Sequence, residues 1–244
     1  MPLSPAADHP TLLRRCLAEG LGTAFLVATV IGSGIAARRL SPNDVGVQLL
    51  ENSLITGAGL AALIIALQPV SAAFNPVVTL VERAMGALSN VDAGLLIVAE
   101  IAGGVIGAVI ANLMFSLPAI TWATHARSSA GLWLGEVVAT FGLVFIIFGT
   151  VRSGRSERVA FAVGAYITAA YWFTSSTSFA NPAVTIARMF SDTFAGIAPR
   201  SVALFIVMQL LGGVLALGLV RLLYPGAAAA ATVADAPAKE GSDV

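Results

Sequence analysis

Long apolar runs broken by short polar connections dominate the chain. They predict six membrane-crossing helices at about 12–37, 46–69, 92–115, 131–151, 159–177 and 200–223. Two shorter amphipathic stretches, about 76–86 and 182–190, stand between these runs. At about 1.5 Å rise per residue neither can cross a hydrocarbon core. Each opens on Asn-Pro: Asn75-Pro76-Val77 and Asn181-Pro182-Ala183. Proline suits the first helical position, where its missing N–H would be unpaired, and asparagine suits the cap before it. The pattern therefore predicts two half-helices that re-enter the membrane, with their partly positive N-termini facing one passage.

The pattern is duplicated well beyond those boxes. Phe74-Asn75-Pro76-Val77-Val78-Thr79 returns as Ala180-Asn181-Pro182-Ala183-Val184-Thr185. Glu19 and Thr23 in the first run are matched by Glu136 and Thr140 in the fourth, and Glu100-Ile-Ala-Gly103-Gly104 in the third by Gln209-Leu-Leu-Gly212-Gly213 in the sixth. Each half reads span, span, half-helix, span. An odd number of crossings per half makes the second copy enter from the opposite side, so the repeat is inverted and the half-helix tips meet near the midplane. The domain expectation is an N-terminal segment 1–11, a channel domain 12–224 with repeats of about 12–115 and 131–224, and a disordered Ala/Gly/Pro-rich tail 225–244.

Composition agrees. With 57% hydrophobic residues, 11% charged and a mean hydropathy of +0.90, the chain is an all-α integral membrane protein. Its formal net charge is zero and its basic residues are scattered through short loops, which gives no nucleic-acid-binding face. Cys16 is the single cysteine and His9 and His125 are isolated, so neither an internal disulfide, a metal site nor metal catalysis is expected. Placing Arg14, Arg15, Arg83, Arg152, Arg155, Arg158, Arg221 and Lys239 on one side leaves Arg38, Arg39, Arg127, Arg188 and Arg200 on the other. The richer side carries both termini and is expected to be cytoplasmic.

A single Asn-Pro is an ordinary helix cap. Two, each leading a Val-Thr pair and a short helix within a wider duplication, point to a pore in which Asn75 and Asn181 donate amide hydrogens to a passing oxygen. Irregular backbone before each half-helix is tolerated at membrane depth only where it is buried or lines a watery cavity. Glu19 and Glu136, as intramembrane carboxylates, invite a reading as proton or cation sites.

On these boxes, the paired Glu/Thr spans and the Gly-Gly spans, the chain resembles the major intrinsic protein family of aquaporins and aquaglyceroporins over about residues 12–224. The resemblance implies six tilted helices and two half-helices around a narrow pore, no cofactor, no enzymatic activity, and usually a homotetramer with one pore per subunit. It also implies that Glu19 and Glu136 brace the re-entrant loops. Most relatives place arginine after the second Asn-Pro-Ala; here that position is Val184, and Arg188 one turn on is not counted as a substitute. The remaining filter positions are Ile55, Ala169 and Ser178 by direct counting, or Thr56, Thr168 and Thr177 with a one-residue gap. Neither set has the histidine and large aromatic of a strict water filter. An Asn-Pro-Ala-Val box of this kind resembles a bacterial branch often associated with arsenic-resistance genes, which implies the inner membrane and arsenite as its neutral trihydroxide, with glycerol or water alongside. A generic glycerol/water facilitator and an inverted-repeat secondary transporter are the alternatives.

Overall fold

Most helices begin where the sequence supplies a side-chain cap. Thr11, Asp44, Ser89 and Ser129 each accept a hydrogen bond from the backbone N–H three residues on, satisfying donors that the first turn leaves unpaired. The computed structural model describes residues 10–225 and contains eight α-helices there. They are α1 (Leu12–Leu40), α2 (Val45–Leu67), α3 (Pro76–Ala84), α4 (Asn90–Met114), α5 (Ala130–Arg152), α6 (Val159–Phe173), α7 (Pro182–Arg188) and α8 (Pro199–Leu223), with a short 3-10 turn at Ser156–Arg158. The tail beyond residue 225 and residues 1–9 lie outside the described residues.

The fold is six helices plus two half-helices. Among the described residues five helices are long and apolar enough to cross a membrane. The sixth crossing, α6, has 15 residues and falls short by length, and its role follows from its place opposite α2. The expected span 159–177 is therefore too long. The helix stops at Thr174, whose N–H and Oγ1 both turn back to the Ala170 carbonyl, and Thr177 and Ser178 then take left-handed backbone. The half-helices are also shorter than expected, ending at Ala84 and Arg188.

α1 packs most extensively on α4, and α5 on α8, the equivalent pair of the second repeat. Glycine makes both seams possible. A methyl group on Gly103 would overlap the Gly20 carbonyl, one on Gly107 the Ala24 carbonyl, and one on Gly212 the Val137 carbonyl. In lipid, where water gives helices little drive to associate, such close backbone approach supplies the packing. The outer surface presents exposed Leu17, Phe25, Val98, Ile106, Leu134, Phe161, Val214 and Leu215, while Glu19, Glu100, Glu136 and Gln209 are fully buried. Apolar side chains outside and polar ones within are what a membrane solvent requires.

Candidate functional site: the central pore

The two half-helix tips meet and cross-brace one another. Asn75 Nδ2 donates to the Ala180 carbonyl at 2.8 Å, and Asn181 Nδ2 donates to the Phe74 carbonyl at 2.7 Å. Asn75 Oδ1 accepts from Val77 N, and Asn181 Oδ1 from Ala183 N and Val184 N. Each asparagine thus spends its oxygen on capping and one amide hydrogen on the opposite tip. That leaves one amide hydrogen per asparagine for a passing solute. Pro76 and Pro182 occupy the first helical position and give up no needed donor.

Phe74 and Ala180, immediately before the asparagines, have φ of 49° and 48°. Left-handed backbone at a non-glycine residue costs about 1 kcal/mol or more and persists only where its surroundings enforce it. Two carboxylates do so. Glu19 accepts from Ser71 Oγ at 2.5 Å, Ala73 N at 2.9 Å and Phe74 N at 2.6 Å; Glu136 accepts from Phe179 N and Ala180 N, both at 2.9 Å, and from Gln209 Nε2 at 2.5 Å. These bonds turn the Phe74 and Ala180 carbonyls toward the opposite asparagine.

Around the tips lies a cavity. Leu26, Val30, Leu60, Ile64, Ile147 and Val163 make much of its wall apolar, and Asn75, Asn181, Thr56, Tyr171, Ser178 and Arg188 supply the polar points. Val184 borders it and is buried. Of the alternative filter residues, Thr56 and Ser178 line the cavity, whereas Ile55 is 47% exposed on the outer apolar face. Thr177 borders a separate vestibule. Neither Thr168 nor Ala169 reaches the cavity: Thr168 Oγ1 donates to Gly164 O and Ser53 O in the α2–α6 seam, and Ala169 is exposed. The α6 face that borders the cavity is Val163, Ile167 and Tyr171, spaced by four. A one-residue shift rotates a side chain about 100° away from that face.

Two further residues escape sequence counting. Tyr171 and Phe179 bring large aromatic rings to the cavity wall, Tyr171 donating from its hydroxyl to Thr56 Oγ1 at 3.3 Å. Arg188, discounted by its offset from the box, borders the same cavity. It is 2% exposed, its Nε donates to the Ala195 carbonyl, and its guanidinium stacks 3.4 Å from the Phe179 ring centroid. Residues four apart share a helix face, which puts Val184 and Arg188 on the same side of α7. That periodicity was the available signal.

On the side opposite the described helix ends Leu12 and Leu223, the vestibule is lined by Arg38, Gln48, Asn52, His125, Arg127, Thr177 and Arg188. Its loops are pinned together. Thr121 N and Ala123 N donate to Phe190 O and Met189 O, Asn112 Nδ2 holds Ala119 O and Phe190 O, and Arg127 Nε holds Gly196 O. Burial pushes Arg127 down to about 10, which leaves it charged at neutral pH. Burial, followed by the Arg127 and Arg188 charges, holds His125 below its ordinary range, with Asp192 acting in the opposite sense.

The model for "Major intrinsic protein" matches residues 6–173 and again 154–243. The chain belongs to the major intrinsic protein family. It is 49% identical to aquaglyceroporin AqpS of Rhizobium meliloti (strain 1021), over 88% of this chain and 92% of that protein. It is 30% identical to aquaporin AqpM of Methanothermobacter thermautotrophicus, over 76% of this chain and 87% of that one. The fold matches the X-ray structure of the aquaglyceroporin from Plasmodium falciparum with a TM-score of 0.69 at 16% identity, covering 88% of this chain and 98% of that one. This major intrinsic protein is a multi-pass membrane channel for small solutes.

Proposed function

We propose that this channel passes small uncharged hydroxylated solutes passively, arsenite as its neutral trihydroxide foremost, with glycerol and water also crossing. The observation that carries the reading is Val184 on the cavity wall directly after the second box: an isopropyl group there is smaller than a guanidinium and offers no hydrogen bond, which widens and dries the wall beside Asn181. A hydroxylated solute exchanges its hydration for the free amide hydrogens of Asn75 and Asn181. An ion meets two half-helix N-termini and an apolar wall.

The pore domain is residues 12–224, one pore per subunit of a homotetramer in the bacterial inner membrane, with cytoplasmic termini. The basic-residue count and the exposed apolar perimeter support this placement. Glu19 and Glu136 serve as loop braces, since their hydrogen bonds to the re-entrant backbone occupy them and leave no open coupling-ion site.

Solute-resolved flux in proteoliposomes tests the reading. Arsenite and glycerol entry should rise linearly with concentration and ignore proton and sodium gradients. Flux that saturates and follows an ion gradient would establish a coupled transporter instead; glycerol and water flux without arsenite flux would reduce the proposal to a generic facilitator.

A further inference from the structure

Resting on the neutral-solute reading above, we propose that Arg188 is the charge-selecting residue of this pore, acting from one helical turn beyond the position where the family places its arginine. Arg188 is the one residue shared by the linings of the central cavity and the vestibule. A solute moving from one to the other therefore passes its guanidinium.

The side chain is held, not free. Its Nε donates to the Ala195 carbonyl and its plane lies on the Phe179 ring, which is itself fixed by the Phe179 N–H bond to Glu136 and by an edge-to-face contact with Phe205 at 5.3 Å. Among the described residues only Nε is committed to a protein acceptor, so the terminal Nη donors remain for a solute. No ion pair neutralises Arg188 among the described residues. Arg127 stands 4.9 Å from the same Phe179 ring and adds a second positive charge on the vestibule side, and Arg38 a third.

The neighbouring wall has the groups a hydroxylated solute needs. Ser178 lines the cavity, and its Oγ is buried with no hydrogen-bond partner among the described residues. Tyr171 Oη and Thr56 Oγ1 are bonded to each other and keep acceptor capacity. Arg188 feels the Glu136 carboxylate, but Glu136 forms no direct ion pair with it and is engaged by backbone N–H groups and Gln209. The guanidinium charge therefore repels cations, while the apolar cavity beyond gives an anion no replacement for its water. A neutral polyol takes hydrogen bonds from Nη and carries none of these costs. Val184 and Arg188 thus divide between them what one arginine does elsewhere in the family: Val184 leaves the space open, and Arg188 keeps the charge.

The test is ammonium-ion conductance, recorded electrically so that neutral ammonia does not register, divided by water permeability in the same proteoliposomes. Arg188→Gln should raise the ratio at least about fivefold, and Arg188→Lys, which keeps the charge, should leave it near the wild-type value. Arg127→Gln controls for loop pinning, because Arg127 also bonds a carbonyl of the 189–198 loop and also stacks on Phe179 but does not line the cavity. The Arg127 charge stands on the vestibule side only, so its removal should raise the ratio by no more than about half as much as Arg188→Gln. An unchanged ratio in Arg188→Gln, or an equal rise in Arg127→Gln, overturns the proposal. Should Arg188→Gln fail to insert, Arg188→Lys decides: retained exclusion supports the proposal and a leak overturns it. Failure of the neutral-solute reading shows separately, as absent arsenite and glycerol flux in the wild type.

Discussion

Glu82 and Arg188 stand at the same offset from their box asparagines in the two repeats, and both are buried, yet they carry opposite charges. Arg188 borders the central cavity; Glu82 does not. Around them the repeats agree closely: the same reciprocal asparagine bonds, the same left-handed residue before each box, the same carboxylate behind each loop. The shared features build the passage, and the differences give it a direction-dependent lining. The first repeat contributes Val78, Ala72 and Phe74 around its tip, and the second contributes Ser178, Phe179, Val184 and Arg188. On the reading proposed above, selectivity resides mainly in the second repeat.

The strongest challenge to the symmetric part of this comparison is removal of the braces. Glu19→Ala and Glu136→Ala should each destabilise the channel by about 3–5 kcal/mol, because each strands buried backbone N–H groups and releases a left-handed residue. Thermal unfolding of the purified protein in detergent reads this. A large loss for one and none for the other would break the equivalence of the two loops.

Asn181→Asp should lower neutral-solute flux by about tenfold, since the carboxylate has no amide hydrogen for the Phe74 carbonyl or for the solute and partly cancels the helix-end field. Asn75→Asp should fall similarly, as its bond to Ala180 is the mirror image. Stopped-flow glycerol uptake distinguishes the two outcomes. Unaltered flux in a correctly inserted Asn181→Asp protein would remove the residue from the pore.

Sequence pattern made the duplication and the half-helices legible, because the two Asn-Pro boxes, the paired Glu/Thr spans and the paired Gly-Gly spans are local signals. The filter was less so. Whether Thr56 or Ile55, or Ser178 or Thr177, faces the cavity depends on a single residue of register, and on α6 both candidates lie off the cavity face that Ile167 and Tyr171 occupy. Arg188 was discounted because it lies outside the box, although helical periodicity returns it to the Val184 face. The Phe179 platform and Ala195 carbonyl that hold it come from the loops on either side of α7, which sequence spacing does not position.

Smaller effects sharpen the comparison at the helix seams. Gly107 meets the backbone of Ala24, whereas its counterpart in α8 is Ala216, which is buried without difficulty. Gly107→Ala should therefore cost about 1–3 kcal/mol, with the two helices forced apart. Insensitivity there would mean that α1 and α4 pack no more tightly than α5 and α8. Glu100→Gln makes the first repeat copy the second. Glu100 Oε1 accepts from Thr79, but Oε2 has no partner among the described residues, whereas Gln209 Nε2 serves both Glu136 and Thr185. The substitution should stabilise the channel by about 1 kcal/mol, measured by the same thermal unfolding, by giving Glu19 an amide donor. Destabilisation would show that the carboxylate has a role the second repeat lacks.

The solute selection assigned to the second repeat is tested most directly by permeability ratios in Val184→Arg, measured for arsenite, glycerol and water in proteoliposomes of equal channel content. A second guanidinium beside Arg188 narrows the wall next to Asn181 and adds fixed charge. The arsenite-to-water and glycerol-to-water ratios should both fall, by about threefold or more, with water flux retained. Ratios that stay constant or rise in a folded, inserted channel would contradict the account, because Val184 would then not set the size of the solute that passes.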